Sequence, residues 1–329
     1  MTPSRALPVS LADIQDAAQR IAPYVKRTPV LTSQRLDALL GAQVYFKCEN
    51  FQRIGAFKAR GAHNAVFLLD DAAAARGVVT HSSGNHAAAL SLAARNRGIA
   101  ACIVMPSNAP RAKVESVKRL GGEINFCEPT LEARESGVTA IIAERGMTLV
   151  HPYDDVHVIA GQGTVARELL EEVPQLDAIL APVGGGGLMS GTAIAARALK
   201  PDIRIVGTEP AQADDAFRSW KAGRLLTDIK PDTIADGLRT YLSERTFHIL
   251  QTQLDDLVTV SEEAIIRAMR LVWEILKIVI EPSAAVPVAA LLEGRAELAG
   301  RRVGVIFSGG NIDLDVLPWQ RASGSGARA

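Results

Sequence analysis

The sequence predicts an α/β protein, and three observations lead there. Short β-branched runs alternate with helix-like segments almost from end to end. Several runs, at 178–183, 203–207 and 303–307, are almost continuously apolar, as strands buried on both faces are. Glycine-rich turns follow such strands and open the next helical segment. Repeated βα units of this kind pack as mostly parallel sheets flanked by helices.

The elements follow in order. Residues 42–47 are β-branched and aromatic and read as a strand, and 56–69 as a helix. A strand at 77–80 runs into His81-Ser82-Ser83-Gly84-Asn85-His86, and the alanine-rich 87–97 is helical. Residues 101–105 form a buried-type strand closed by Pro106. A helix at 113–120 stops at Gly121-Gly122, an ordinary C-terminal signal. Strand 123–127, helix 131–145 and strand 147–150 come next. A helix is then expected to start after Gly161-Gln162-Gly163-Thr164 and run to Glu172. Strand 178–183 leads through four glycines into helix 188–199. No fixed-period repeat appears. The low-complexity stretch 321–329 is expected to fray. No Pro, Gly or Ser linker divides the chain, so two domains would have to be interleaved.

The chain has 329 residues, enough for about two domains with a real core. Hydrophobic residues make up 48% and charged residues 22%, which excludes a disordered, charge-extended chain. Thirty-six basic residues balance 36 acidic ones, so no global field favours nucleic acid or an anionic membrane. Cys48, Cys102 and Cys127 are too few and too widely spaced for a disulfide framework or a zinc site, which fits a reducing compartment. The N-terminus leads into no apolar signal region, and the apolar stretch 271–280 is broken by Glu274 and Lys277. A cytoplasmic protein is expected.

Gly184, Gly185, Gly186 and Gly187 carry the clearest chemistry. Without Cβ atoms the backbone amides can close on an anion, and the helix N-terminus adds its dipole. A P-loop is excluded because no Gly-Lys-Ser/Thr follows. A dinucleotide fingerprint is weakened by Met189 or Ser190 in the third glycine's place, although Glu209 could imitate the ribose-binding acid. A single compact phosphate fits better. The Ser82-Ser83-Gly84-Asn85-His86 turn could hold a carboxylate or merely cap a helix. Lys58 by itself reads as a solvated lysine.

Five motifs in one order change that reading: 50–64, the 82–86 loop, Gly161-Gln162-Gly163-Thr164, the four glycines, and Ser308-Gly309-Gly310-Asn311. Together they resemble the serine/threonine dehydratase and serine racemase branch of fold-type II pyridoxal-phosphate enzymes, whose fold is like that of the tryptophan synthase β chain. The similarity spans roughly residues 11–319. It implies a large cofactor-binding domain from 1–76 and 153–329, and a small substrate-closing domain from 77–152. Lys58 would be the Schiff-base lysine and a base, its pKa depressed by a neighbouring cation and the anchored cofactor. The glycines would hold the cofactor phosphate, Asn85 the ring hydroxyl, Phe57 the ring plane and Ser308 the pyridine nitrogen. A serine there makes the ring a weaker electron sink than an aspartate would. Ser82, Ser83, Asn85 and His86 would bind the substrate carboxylate, with Ser83 as acid/base opposite Lys58 and Arg134 in a closing lid. Glu209, Ala213 and Asp215 match the branch's divalent-metal site, suited to Mg²⁺, Ca²⁺ or Mn²⁺. A homodimer is implied.

Departures from the branch narrow the expected substrate. Ala56 stands where most dehydratases of the branch have serine, and Gly55-Ala56-Phe57-Lys58 resembles hydroxyaspartate dehydratases and some fungal-type racemases. Residues 281–287 and 311–315 also resemble bacterial β-hydroxyaspartate dehydratases. Tyr153 replaces an asparagine typical of racemases, and no regulatory domain is expected after Trp319. The implied reaction is loss of water, then ammonia, from a β-hydroxy amino acid. 3-Hydroxyaspartate is the expected substrate, with L-serine and L-threonine secondary. Arg134, Arg111 and Lys113 are the candidate partners for its distal carboxylate. Serine/threonine dehydratase or serine racemase proper is the alternative; a non-catalytic sensor or an NAD-dependent oxidoreductase is remoter.

Overall fold

The computed structural model describes residues 6–320 apart from Ser83, Pro110 and Ile229. The expected acid/base Ser83 and the 321–329 tail therefore lie outside the described residues. Among the described residues ten strands follow in chain order: β1 (Val30–Leu31), β2 (Gln43–Cys48), β3 (Val78–His81), β4 (Ala101–Pro106), β5 (Glu123–Cys127), β6 (Thr148–Leu149), β7 (Ala178–Pro182), β8 (Arg204–Pro210), β9 (Asp256–Val260) and β10 (Arg302–Phe307).

They form two sheets. The larger has the order β1-β2-β10-β7-β8-β9 and the smaller β5-β4-β3-β6. Every pairing is parallel except β1 against β2. The chain leaves the larger sheet after β2, builds the smaller one, and returns for β7. The α/β class is thus what the apolar strands predicted. β7 is buried along its whole length, and the rings of Phe46 and Phe307 stack across β2 and β10, 4.9 Å apart. The chain order reverses where β10 sits between β2 and β7, the place where open parallel sheets bind ligands at their carboxyl ends.

One expected boundary is corrected. The helix placed after Gly161-Gln162-Gly163-Thr164 instead begins at Val156, capped by Asp155, whose carboxylate accepts from the backbone N–H groups of His157 and Val158. The two glycines lie inside it because other helices approach there. A Cβ on Gly161 would stand 2.6 Å from the Cα of Gly61, and one on Gly163 2.9 Å from the carbonyl oxygen of Gly191. The Gln162 side chain also accepts from the Gly61 N–H at 3.2 Å. Helix Val156–Glu172 therefore clasps both Lys58–Leu68 and Gly187–Leu199. These begin at the candidate lysine and the candidate phosphate cup, so one shared helix sets the distance between them.

Beneath the site lies a buried ion network. Arg60 donates to both Glu49 and Glu168 at 2.7–2.8 Å, and Lys47 donates to Glu168 at 2.7 Å. Two cations meet two carboxylates with hydrogen bonds satisfied, the condition under which buried charge is tolerated. The network ties β2, helix Lys58–Leu68 and helix Val156–Glu172 together.

Candidate active site

The sheets face each other across a cleft of about 1780 Å³, lined from the larger sheet's side by Lys58, the four glycines, Glu281 and Ser308. From the smaller sheet's side come His81, Ser82, Asn85, His86, Lys113 and Arg134.

Lys58 opens its helix, and its approach loop is stitched to the segment after β10. Phe57 N–H donates to the carbonyl of Ser308 at 3.0 Å, Gly310 N–H donates to Gly55 at 2.9 Å, and Ala56 pairs with Gly309. The Lys58 amine donates to the carbonyl of Pro152 at 2.6 Å and lies 5.1 Å from the centre of the Phe57 ring. Burial pulls its pKa down to about 8, while Glu281 favours the charged form. Here the sequence expectation is corrected: burial, not a neighbouring cation, is what weakens the amine. A buried lysine of this kind has a far larger neutral, nucleophilic fraction near neutral pH than a solvated one.

The four glycines close the opposite wall. Gly186 has φ +83°, a left-handed turn that glycine adopts freely, and leads into helix Gly187–Leu199. A Cβ on Gly185 would penetrate the Tyr153 ring at 2.3 Å, and one on Gly184 would lie 3.0 Å from the Cα of Leu238. The helix N-terminus presents free N–H groups and positive dipole to the cleft.

Asn85 and His86 open helix Asn85–Arg97. The Asn85 amide donates to Glu281 at 3.1 Å and its carbonyl accepts from Asn311 at 2.9 Å. The His86 ring is turned away, its Nε2 3.0 Å from the Val150 carbonyl, and burial beside Lys58 lowers its pKa to about 3. A substrate carboxylate would thus meet the His86 backbone at the helix N-terminus, not the imidazole. Ser82 Oγ accepts from Gly84 N–H at 3.2 Å. Ser308 Oγ is buried without a hydrogen-bond partner among the described residues.

Two groups at the site were not assigned roles from sequence. Glu281 is buried beside Asn85 and accepts from the Asn311 backbone; burial and then Asp236 raise its pKa to about 7. His151 accepts the backbone N–H of Asp154 at 2.9 Å on Nδ1, which puts its proton on Nε2. Its ring meets His81 and Tyr153 edge-on. Glu281 stood within a family-like stretch, but nothing local marked it as a cleft residue.

Glu209 and Asp215 lie outside the cleft lining, so Glu209 is not poised to hold a ribose there. Both are buried. Glu209 accepts from the N–H groups of Ala216 and Phe217, while neither Asp215 oxygen has a hydrogen-bond partner among the described residues. Burial raises both, Asp215 to about 7, and Asp215 also pushes Glu209 up. Ala213 is buried just before Asp215. No cluster of three or more His, Cys, Asp or Glu side chains gathers among the described residues, so a cation here would need carbonyl and water ligands as well. Among the distal-carboxylate candidates, Arg134 and Lys113 line the cleft. Arg111 does not: its side chain is exposed and paired with Glu115 one turn on, because its helix position faces solvent.

No helix among the described residues is long and apolar enough to cross a membrane. The family described as "Pyridoxal-phosphate dependent enzyme" matches residues 21–309. The chain is 53% identical over 307 residues to the β-hydroxyaspartate dehydratase of Paracoccus denitrificans, covering 93% of this chain and 98% of that protein. It is 49% identical over 322 residues to a serine racemase of Oryza sativa, covering 96% and 95%. The solved structure of maize serine racemase superposes with a TM-score of 0.92 at 48% identity, covering 95% of this chain and 97% of that one.

Proposed function

The chain belongs to the family of pyridoxal-phosphate dependent enzymes, and from that premise we propose that it is an ammonia-lyase acting on 3-hydroxyaspartate. One observation carries the reaction class: a buried lysine with a weakened amine faces a glycine cup, and a single helix holds both. The residues fit the cofactor. Lys58 would bond its aldehyde carbon, the 184–187 amides would hold its phosphate, the orphaned Ser308 hydroxyl would meet its ring nitrogen, and Asn85 would reach its ring hydroxyl. When bound, the cofactor supplies the electron sink that lets an α-proton and then a β-hydroxyl leave.

The chain's own groups do the rest. The helix N-terminus at Asn85, with Ser82 and the Ser83 of that loop, binds and orients the α-carboxylate. Lys58 Nζ accepts the α-proton, burial having lowered the cost of holding its amine neutral. Phe57 and Tyr153 wall the site with apolar surface and limit water. Water leaves and is then taken up as ammonia is released, so the net products are a 2-oxo acid and ammonia.

Substrate choice rests on the 53% identity to a β-hydroxyaspartate dehydratase together with Ala56 beside Phe57-Lys58. Racemisation of serine is the second reading, favoured by the likeness to serine racemases and opposed by Tyr153, whose ring packs against Gly185. The buried, unbridged Asp215 and Glu209 support a divalent cation, Mg²⁺, Ca²⁺ or Mn²⁺, held with the Ala213 carbonyl and waters. The segment 77–152, which carries all four strands of the smaller sheet, would close over substrate with Arg134. A cytoplasmic homodimer completes the proposal. The test is kcat/KM for both diastereomers of 3-hydroxyaspartate against L-serine and L-threonine. A tenfold preference for serine or threonine overturns the substrate while leaving the lyase class standing.

A further inference from the structure

One ion pair spans the cleft: Lys113 Nζ donates to Asp236 Oδ2 at 2.8 Å. Lys113 sits on helix Arg111–Arg119, which packs on the smaller sheet. Asp236 opens the turn Asp236–Leu238, whose Gly237 and Leu238 press against Gly184 of the cup. The Gly237 N–H is tied to Ser283 at 3.1 Å, so the acidic end of the pair is anchored to the larger sheet. Lys113 thus already holds a carboxylate at the mouth of the proposed cofactor site.

Lys113 and Lys58 line the same cleft as the buried Glu281, whose carboxylate accepts from the Asn85 amide and the Asn311 backbone. The other cations of the cleft are engaged or peripheral. Arg239 is clamped on the Thr233 carbonyl, and Arg134 braces the Thr130 carbonyl of its own helix start. Arg53 and Arg119 are exposed at the rim.

An ammonium has three donors, and Asp236 occupies one of them. A substrate with a second carboxylate brings a negative group towards Asp236 and Glu281. It needs a cation, because an unpaired carboxylate in a closing cleft is costly. We infer that Lys113 is the specificity-determining residue of this enzyme, taking the distal carboxylate of the substrate in exchange for Asp236. The inference rests on the 3-hydroxyaspartate reading and adds to it the residue that recognises the second carboxylate. In this arrangement Asp236 acts as an internal stand-in that keeps Lys113 in place and competes with the incoming group. A monocarboxylic substrate such as L-serine has nothing to offer Lys113 and leaves the pair closed.

The test uses the holoenzyme with Lys113→Gln, Lys113→Arg, Asp236→Asn and Arg134→Gln. The readouts are the ratio of kcat/KM for 3-hydroxyaspartate over L-serine, and the ratio of inhibition constants for L-aspartate and L-alanine, which lack a β-leaving group. Lys113→Gln should cut the first ratio roughly tenfold or more, the usual scale for a charge-assisted hydrogen bond. It should weaken L-aspartate relative to L-alanine by a similar factor. Lys113→Arg should restore part of the preference, and Asp236→Asn should raise it by removing the competitor. If Lys113→Gln leaves both ratios unchanged, or only Arg134→Gln lowers them, the assignment of Lys113 is overturned and the substrate reading stands. A wild-type enzyme that prefers L-serine overturns the substrate reading and Lys113 with it.

Discussion

The amine of Lys58 is hydrogen-bonded to the carbonyl of Pro152 at 2.6 Å. Pro152 lies where the chain returns from the smaller sheet to the larger one, between His151 and Tyr153. The resting position of this amine is therefore set by the crossing segment, and the same segment supplies the ring that fills the space over Gly185. A shift of this crossing would move the lysine's acceptor and the wall of the cup together.

Lys58→Ala should abolish elimination and leave the cofactor bound only without a covalent link. No other lysine can substitute nearby: Lys47 is sealed against Glu168, and Lys113 is engaged by Asp236 across the cleft. Borohydride reduction and peptide mapping should place the label on Lys58, and a label on Lys47 or Lys113 would contradict the site. In the wild-type chain stripped of cofactor, the rate of covalent capture should rise with pH and level off above about 8, where the buried amine loses its proton. A profile still climbing towards 10 would mean that the amine is not desolvated.

Ser308→Ala should have opposite effects on the two forms of the protein. Without cofactor, the change removes a buried hydroxyl that has no partner among the described residues, so the melting temperature should hold or rise. With cofactor, the ring nitrogen loses its contact and both cofactor affinity and turnover should fall. Differential scanning of the two forms separates these outcomes, and equal destabilisation of both would assign Ser308 a merely structural part.

Asp215 and Glu209 make the cation testable through pH. Both carboxyls are raised in the folded chain above their unfolded values, Asp215 to about 7. Their contribution to stability is therefore full below about pH 4 and is lost as pH rises through the folded values. Chelator-treated protein should lose melting temperature between pH 5 and 8 by this route, and added Mg²⁺ should restore it by binding the ionised pair. An EDTA-treated protein with unchanged melting temperature and turnover would refute the cation at this pair.

Gly161→Ala should destabilise the fold by about 1–3 kcal/mol or more, since the new methyl meets the backbone of Gly61 and cannot be relieved by a side-chain rotation. Because the clasped helices carry Lys58 and the cup, cofactor occupancy should fall alongside the denaturation midpoint. A variant with normal stability and full occupancy would show that the helices can part without consequence.

The local patterns and ordered motifs made the strands, the cup and Lys58 legible. Buried parallel strands are near-continuous apolar runs, so β7, and β10 after its first residue Arg302, declare themselves without a partner in view. Four successive glycines cannot be explained by a single tight turn, and their place after a strand and before a helix already suggests an anion. The resemblance then singled out Lys58, whose local sequence is that of an ordinary surface lysine.

What the sequence determined by itself was the α/β class, the order of the motifs and the candidate residues within them, because these depend on local periodicity and on which residue stands in which motif. Tertiary structure decided the rest. Gly161 and Gly163 read as a helix boundary until Gly61 and Gly191 are seen packed against them, because a glycine that breaks a helix and one that admits a neighbour look identical along the chain. Burial of Lys58 sets its amine near 8, a property of the surrounding volume and not of adjacent residues. Glu281 meets Asn85 across 196 positions, and Lys113 meets Asp236 across 123. Such contacts arise only when two separately built sheets are brought face to face, where burial and Coulomb attraction act through space and take no account of separation along the chain.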